Sequence, residues 1–298
     1  MKNRIFITGS SGFVGINLIK YLDTIYSLDK YLKNSQINID HEIVIHLAGK
    51  AHDLKNISSS NDYYKVNTEL TKDIFDAFLA SNSKVFITMS SVKAVADQVE
   101  GQLLEDVIPN PVTHYGKSKF LAEEYILSKP IPEGKRFYIL RPCMIHGPGN
   151  KGNLNLLYSL VSKGIPWPLG AYENKRSFCS IDNLMFIIRE LIERDDIPSG
   201  AYNVADDLPL STNDVISILA ESQNRKAKIW EVSKGLIQSL AKLGDMLRLP
   251  LTTERLQKLT ESYLVSNQKI KSAIGKDLPI SAKDGLLKTF NSFQINAQ

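Results

Sequence analysis

The β-branched and aromatic segment Arg4-Ile-Phe-Ile-Thr8 runs without a spacer into Gly9-Ser-Ser-Gly12-Phe-Val-Gly15. No other feature constrains the chain as strongly. Apolar residues then recur at helical spacing (Val14, Leu18, Ile19, Leu22), which predicts a helix over 13–22. Strand, glycine turn and helix in that order make a phosphate-binding βα unit. Gly9 permits the tight turn, Gly12 lets backbone approach a pyrophosphate, and Gly15 lets the helix pack on the strand. Ser11, Phe13 and Val14 lie where the helix N-terminus, with roughly half a positive charge, meets phosphate. Scattered loop glycines are the rival reading, but the flanking strand and helix favour dinucleotide binding.

Further buried strands are predicted at 43–47, 85–88, 137–141 and 201–204, with helices over 62–80, 113–127 and 182–193 between them. The alternation predicts an α/β fold, a doubly wound parallel sheet covered on both faces. From Ser211 the pattern turns helical (211–222, 236–247, 252–263, 268–274, 281–293), which predicts a smaller, mostly helical C-terminal lobe. We place one domain at 1–152 and 177–207 and the other at 153–176 and 208–298. A chain of 298 residues can bury such cores without disulfide or metal staples. Cys143 and Cys179 lie in apolar strands, as expected of a reduced, cytoplasmic protein with inert core thiols. Five histidines show no metal spacing, and we expect no metal. The net charge of +4 comes without a dense Lys/Arg block, so no nucleic-acid partner is expected. No apolar run approaches the ~18 residues of a bilayer span, and the stretch after Met1-Lys2-Asn3-Arg4 is too short for an export signal. No membrane partner is therefore expected.

Asp29 stands 20 residues after Gly9, where an acidic residue would bind a ribose 2′-hydroxyl and favour NAD. Only 17 residues separate it from His46, too few for the strand and helix such folds place there. Either one strand is absent or two have merged, and a solvated turn aspartate competes with the ribose ligand. Tyr115-Gly-Lys-Ser-Lys119 places a phenol and an ammonium on one helix face. Tyr26…Lys30 and Tyr125…Lys129 share the spacing, and context separates them. Tyr115 opens a helix behind Asn110-Pro111 and follows Ser90-Ser91 at a strand end, where ligands bind in open α/β sheets. Ser91 then hydrogen-bonds a substrate oxygen while Tyr115 moves its proton. A unit charge at about 4 Å is worth about 4 kcal/mol at an effective dielectric of about 20, or roughly three pKa units. Lys119 and an oxidised nicotinamide are thus expected to bring Tyr115 towards neutral pH. A surface tyrosine on an amphipathic helix is the bland alternative.

Gly9-x-x-Gly12-x-x-Gly15, His46-Leu-Ala-Gly49, Val66-Asn67, Ser90-Ser91, Tyr115-x-x-x-Lys119 and Arg141-Pro142…Gly147-Pro-Gly149 occur in order. With them the chain resembles the extended short-chain dehydrogenase/reductases, the NAD-dependent epimerase/dehydratase group. The resemblance implies a Rossmann-like domain binding NAD or NADP. By position, Leu47, Ala48 and Gly49 would line the cofactor cleft, Asn67 would sit near it, and Pro142 would border the nicotinamide. Ser91, Tyr115 and Lys119 would form the catalytic group, with Lys119 also holding the ribose. In the second lobe Asn153 and Leu154 match positions touching the pyrophosphate of a nucleoside-diphosphate sugar, and Arg176 a diphosphate contact. Without the family, Arg176 is a solvated turn charge, and Lys50 is equally substrate-facing or solvated. His46 reads as packed beneath the cleft, and for His52 an approach to substrate is the lesser of two readings.

Gly147-Pro-Gly-Asn-Lys-Gly-Asn153 and Ile165-Pro-Trp-Pro-Leu169 look most like bacterial surface-polysaccharide enzymes. The function implied is hydride transfer at C4 of a UDP-hexose or UDP-N-acetylhexosamine, by a 4-epimerase or a 4-ketoreductase. The family also implies a homodimer pairing 62–80 and 113–127. Two alternatives stand beside this reading: a non-catalytic dinucleotide sensor, and a nucleotide-sugar dehydratase. Val92 and Lys93 stand where dehydratases of this group carry an acid after Ser91, which disfavours the latter.

Overall fold

The apolar runs become one six-stranded parallel sheet in a computed structural model that describes residues 3–32, 35–50, 59–150, 152–247 and 251–295. Its strands are β1 (Arg4–Thr8), β2 (Ser27–Lys30), β3 (Ile43–His46), β4 (Val85–Met89), β5 (Arg136–Pro142) and β6 (Gly200–Val204). They lie in the order β2-β1-β3-β4-β5-β6. The register aligns Phe6, Val44, Phe86 and Phe137 across four strands. Helices α1 (Phe13–Leu22) and α4 (His114–Ser128) fall on the predicted 13–22 and 113–127, while α2 (Ser60–Tyr63) and α3 (Leu70–Ala80) bound the predicted 62–80. Ile74, Phe75 and Phe78 of α3 and Ile126 of α4 pack on the aromatic row, each burial worth about 1.5–3 kcal/mol.

Sheet order resolves the short segment after Leu22. β2 exists and pairs in parallel with β1. Among the described residues between Lys30 and Ile43 there is neither strand nor helix, so β2 is an edge. Among the described residues no strand flanks it, and the segment is too short for one, because a parallel crossover needs a dozen or more residues by itself. Strand order reverses between β1 and β3, which creates the crevice at their carboxyl ends where such sheets bind ligands.

The remaining helices are α5 (Asn153–Ser162), α6 (Ile181–Glu193), α7 (Thr212–Ser222), α8 (Lys234–Leu247), α9 (Thr253–Thr260), α10 (Gln268–Ile274) and α11 (Ala282–Ile295). The chain divides into two units, Met1–Cys143 with Ile181–Ala205 and Val265–Pro279, and Met144–Ser180 with Asp206–Leu264 and Ile280–Gln298. These boundaries differ from those drawn on the sequence. Residues 265–279 rejoin the first unit, where Asn267 Nδ2 donates to Ala205 O (3.0 Å) and Lys269 Nζ to Ala201 O (2.8 Å). In the second unit Met144–His146 pairs in parallel with Phe178–Ser180. Leu154, Phe178, Val215, Leu219 and Phe290 form one core there. A second gathers around Trp167, Ile216, Ile237, Ala241 and Leu256. α7 starts with a capping box, Ser211 accepting from Asp214 N while Asp214 accepts from Ser211 N. Both cysteines are buried thiols with no disulfide.

Candidate active site

The glycine turn is as tight as its sequence requires. Gly9 sits at φ +71, and a Cβ there would fall 2.5 Å from the Ala48 nitrogen. A Cβ on Gly15 would meet the Gly9 carbonyl oxygen at 2.3 Å, so only glycine lets α1 close on the turn. Gly12 N donates to Gly9 O (3.1 Å), and the α1 N-terminus, which Phe13 and Val14 open, has no side-chain cap. Ser11 is exposed on this turn. Backbone N–H groups at such a terminus fit a pyrophosphate.

Thr8 and Asn67 fix the facing wall. Thr8 Oγ1 accepts from Ala48 N (3.1 Å) and bonds His46 Nδ1 (2.8 Å). His46 Nε2 bonds Thr71 Oγ1 (2.9 Å), and burial holds the imidazole neutral, with a pKa of about 3. It is a structural residue beneath the cleft, as read from the sequence. Asn67 is fully buried; its Oδ1 accepts from Lys50 N (2.7 Å), and its Nδ2 donates to Lys50 O (3.1 Å) and Ser118 Oγ (3.0 Å). These bonds set the backbone course of Leu47, Ala48, Gly49 and Lys50. The predicted helix over 62–80 is not uniform: Tyr64–Glu69 forms a π-segment around Asn67. The widened turn is of the kind that recurs at functional sites, and the apolar pattern gave no hint of it. Lys50 Nζ pairs with Asp62 (2.8 Å) and lies 5.8 Å from the centre of the Tyr63 ring. The Tyr63 ring in turn packs edge-on at 6.3 Å against Tyr115.

Ser91, Tyr115 and Lys119 come together at the β4 end. Ser91 caps a short 3₁₀ turn, accepting from Lys93 N (3.2 Å), and hydrogen-bonds the Tyr115 side chain. Thr113 caps α4 by accepting from Gly116 N (3.1 Å), while Asp97 accepts from Val112 N (2.8 Å). Gly116 is a residue the motif reading passed over. A Cβ there would lie 2.4 Å from the Lys93 carbonyl oxygen, so glycine beside Tyr115 lets the helix seat on the Ser91 turn. Lys119 is buried and donates to Met89 O (2.8 Å), and a Cβ on Gly49 would lie 2.9 Å from its Nζ. Desolvation lowers the Lys119 pKa to about 8, with Glu123 acting in the opposite sense.

The expected tuning of Tyr115 is a property of the protein with nicotinamide bound; the chain by itself sets a different starting point. Burial raises the phenol above its usual value, and the Ser91 hydrogen bond only partly opposes this. The Lys119 ammonium is turned to the Met89 carbonyl instead. Sequence reading also missed the cluster below Lys119. Glu123, one helical turn on, accepts a two-pronged contact from Arg141 (Nε 3.0 Å, Nη2 2.6 Å) and a hydrogen bond from Ser90 Oγ. All three are buried. Pro142 ends β5 and pairs in register with Val204.

Asp29 makes its contacts within the protein. Its Oδ2 binds Arg4 Nη2 (2.9 Å) and His41 Nε2 (2.8 Å), which hold the carboxyl below the usual range. Arg4 begins β1, so the carboxylate is drawn towards the amino end of the sheet, away from the carboxyl-end crevice. The two rival Tyr-x-x-x-Lys pairs are structural. Tyr125 donates to Asp76 (2.6 Å) under the Lys129 ammonium, and Tyr26 donates to Glu193 (3.4 Å). In the second unit, Asn153 begins α5 and its side chain lies outside the described residues, as does His52. Leu154 is buried in the helical core, and Arg176 pairs with Glu261 (2.8 Å).

The cleft fits a nicotinamide dinucleotide: a glycine turn with Gly12 exposed, a helix terminus with no side-chain cap, and a buried ammonium one helical turn from a phenol. Comparison with known proteins agrees. UDP-glucose 4-epimerase of Vibrio cholerae is 28% identical, the alignment covering 98% of this chain and 96% of that protein. The crystal structure of UDP-glucuronic acid 4-epimerase from Bacillus cereus in complex with NAD superposes with TM-score 0.74 at 18% identity, covering 99% of this chain and 100% of that one. RMD from Pseudomonas aeruginosa complexed with NADPH gives 0.75 at 21% identity, covering all of both chains. Residues 5–205 match the sequence profile of one family, from the glycine turn through the Tyr115 helix to the last strand of the sheet. On that match, this protein belongs to the NAD dependent epimerase/dehydratase family.

Proposed function

We propose that this chain moves hydride at C4 of a UDP-linked hexose or N-acetylhexosamine, as a 4-epimerase or a 4-ketoreductase serving surface-polysaccharide synthesis. The observation that carries the reading is the Ser91–Tyr115 hydrogen bond at the β4 end, with buried Lys119 one helical turn below. Bound nicotinamide supplies the hydride acceptor or donor. The Tyr115 oxygen takes the proton of the C4 hydroxyl during oxidation and returns it during reduction. Ser91 Oγ orients that hydroxyl. Lys119 supplies positive charge that favours the phenolate, and its buried position also suits a ribose hydroxyl. Gly9, Gly12 and Gly15 hold the pyrophosphate by backbone.

In the second unit Asn153, Leu154 and Arg176 are the proposed diphosphate contacts of the sugar nucleotide. For Arg176, engagement means exchanging the Glu261 carboxylate for phosphate oxygens, which its planar fork also matches. A 4-epimerase returns the proton and hydride after the sugar presents its other face, whereas a 4-ketoreductase starts from the ketone. Dehydration is disfavoured because Val92 and Lys93 follow Ser91, with Lys93 Nζ donating to Asp97 O (2.7 Å). Purified protein incubated with UDP-GlcNAc or UDP-glucose and no added cofactor separates the two. C4 inversion identifies the epimerase. Turnover only on a UDP-4-keto sugar with NADPH identifies the reductase, and no reaction with either substrate refutes the proposal.

A further inference from the structure

Helix α8 carries two apolar stripes where a surface helix needs one. Ile237, Ala241 and Gly244 are buried, and Ile237 and Ala241 join the Trp167 core. One residue back along the helix runs Leu236, Leu240, Leu243 and Leu247, at i, i+4, i+7 and i+11, 40–56% exposed, with Met246 beside them at 72%. Trp230, just before the helix, is 58% exposed. Six large apolar side chains concentrated in and beside one helix of a water-facing protein mark a docking surface.

Charge identifies the occupant. Residues 225–260 hold eight Lys and Arg against three Asp and Glu, a net +5 in a chain whose total is +4. The rest of the molecule is therefore slightly negative, and the positive surplus belongs to the segment that displays the apolar stripe. A second copy docking here by two-fold symmetry would set +5 against +5. An anionic bilayer surface meets both properties: lipid headgroups attract the cations, leucines enter the headgroup boundary, and an indole sits at that level. Among the described residues no helix is long and apolar enough to cross a membrane, so the contact is with a surface.

We propose that α8 and Trp230 dock this protein on anionic lipid. The expectation of no membrane partner rested on the lack of a span, which a helix lying in the interface does not need. The inference holds whichever sugar the active site takes. Fluorescence tests it directly, because the two tryptophans differ: Trp167 is buried with Nε1 on Asn213 Oδ1 (3.1 Å), and Trp230 is exposed.

With vesicles of phosphatidylglycerol and phosphatidylcholine in equal parts, the full chain is expected to sediment and its emission to shift blue. Pure phosphatidylcholine should give neither, and about 0.5 M salt should weaken both. Leu240→Glu with Leu243→Glu is expected to reduce partitioning at least about ten-fold, with an unchanged circular dichroism spectrum. Lys242→Glu is expected to reduce it about five-fold, and it gives the same answer should the double variant lose its fold. Absence of binding at low salt, or binding indifferent to these substitutions, overturns the proposal. So does self-association abolished by the leucine substitutions with no vesicle binding, or equal affinity for heparin that ignores the leucines.

Discussion

Replacing Lys119 with Met should make the nucleotide-free protein more stable at neutral pH while destroying its function. The ammonium is buried and its pKa falls from 10.5 to about 8. At about 1.4 kcal/mol per pKa unit, keeping that charge in the fold costs about 3 kcal/mol. Methionine nearly matches the side-chain volume and removes the charge. Losing the hydrogen bond to Met89 O returns about 1 kcal/mol of the gain. The expected net at pH 7 is about 2 kcal/mol in favour of the variant, a stability–activity conflict of the kind active sites carry.

The sign is pH-dependent. Below pH 8 both the folded and the unfolded wild type hold the proton, and the penalty is present in full. Between about 8 and 10.5 the unfolded chain binds a proton that the folded one has released, so wild-type stability rises relative to the variant. Urea unfolding of both proteins at pH 7, 8.5 and 10 measures the difference. A variant less stable than wild type at pH 7, or an advantage that does not shrink with rising pH, refutes the reasoning.

Tyr115→Phe should abolish turnover while nicotinamide-nucleotide affinity, measured by fluorescence titration, stays within about two-fold; retained turnover would favour the non-catalytic sensor. Arg141→Leu should destabilise the fold by about 3–5 kcal/mol by stranding the Glu123 carboxylate, and adding Glu123→Leu should recover most of it in chemical denaturation. Gly116→Ala should cost about 1–3 kcal/mol, because its methyl would overlap the Lys93 carbonyl; a normal thermal midpoint would show that the helix can move aside. Asp29→Ala should leave NAD and NADP dissociation constants unchanged, since Arg4 and His41 already occupy that carboxylate; a selective loss of NAD affinity would restore the ribose role.

The local order of the first unit was legible because its signals are local. A β-branched run, three spaced glycines and a 3.6-residue period are properties of neighbours, and α1 forms over the predicted residues 13–22. The motifs around Ser91, Tyr115 and Lys119 could likewise be placed at strand and helix ends from the sequence alone. What each side chain does there was decided by packing between distant segments. Nothing in the spacing shows that Lys119 would turn to the Met89 carbonyl, that burial would raise the Tyr115 phenol, or that Arg4 and His41 would claim Asp29. Gly116, Glu123 and Arg141 look ordinary until the fold brings Lys93, Ser90 and Glu123 against them. The α8 leucines follow a helical period like that of any core helix, and exposure separates a docking face from a buried one. Periodicity reports which residues share a face; only the tertiary structure decides what that face meets, because burial, charge and contact are set by residues far away in the chain.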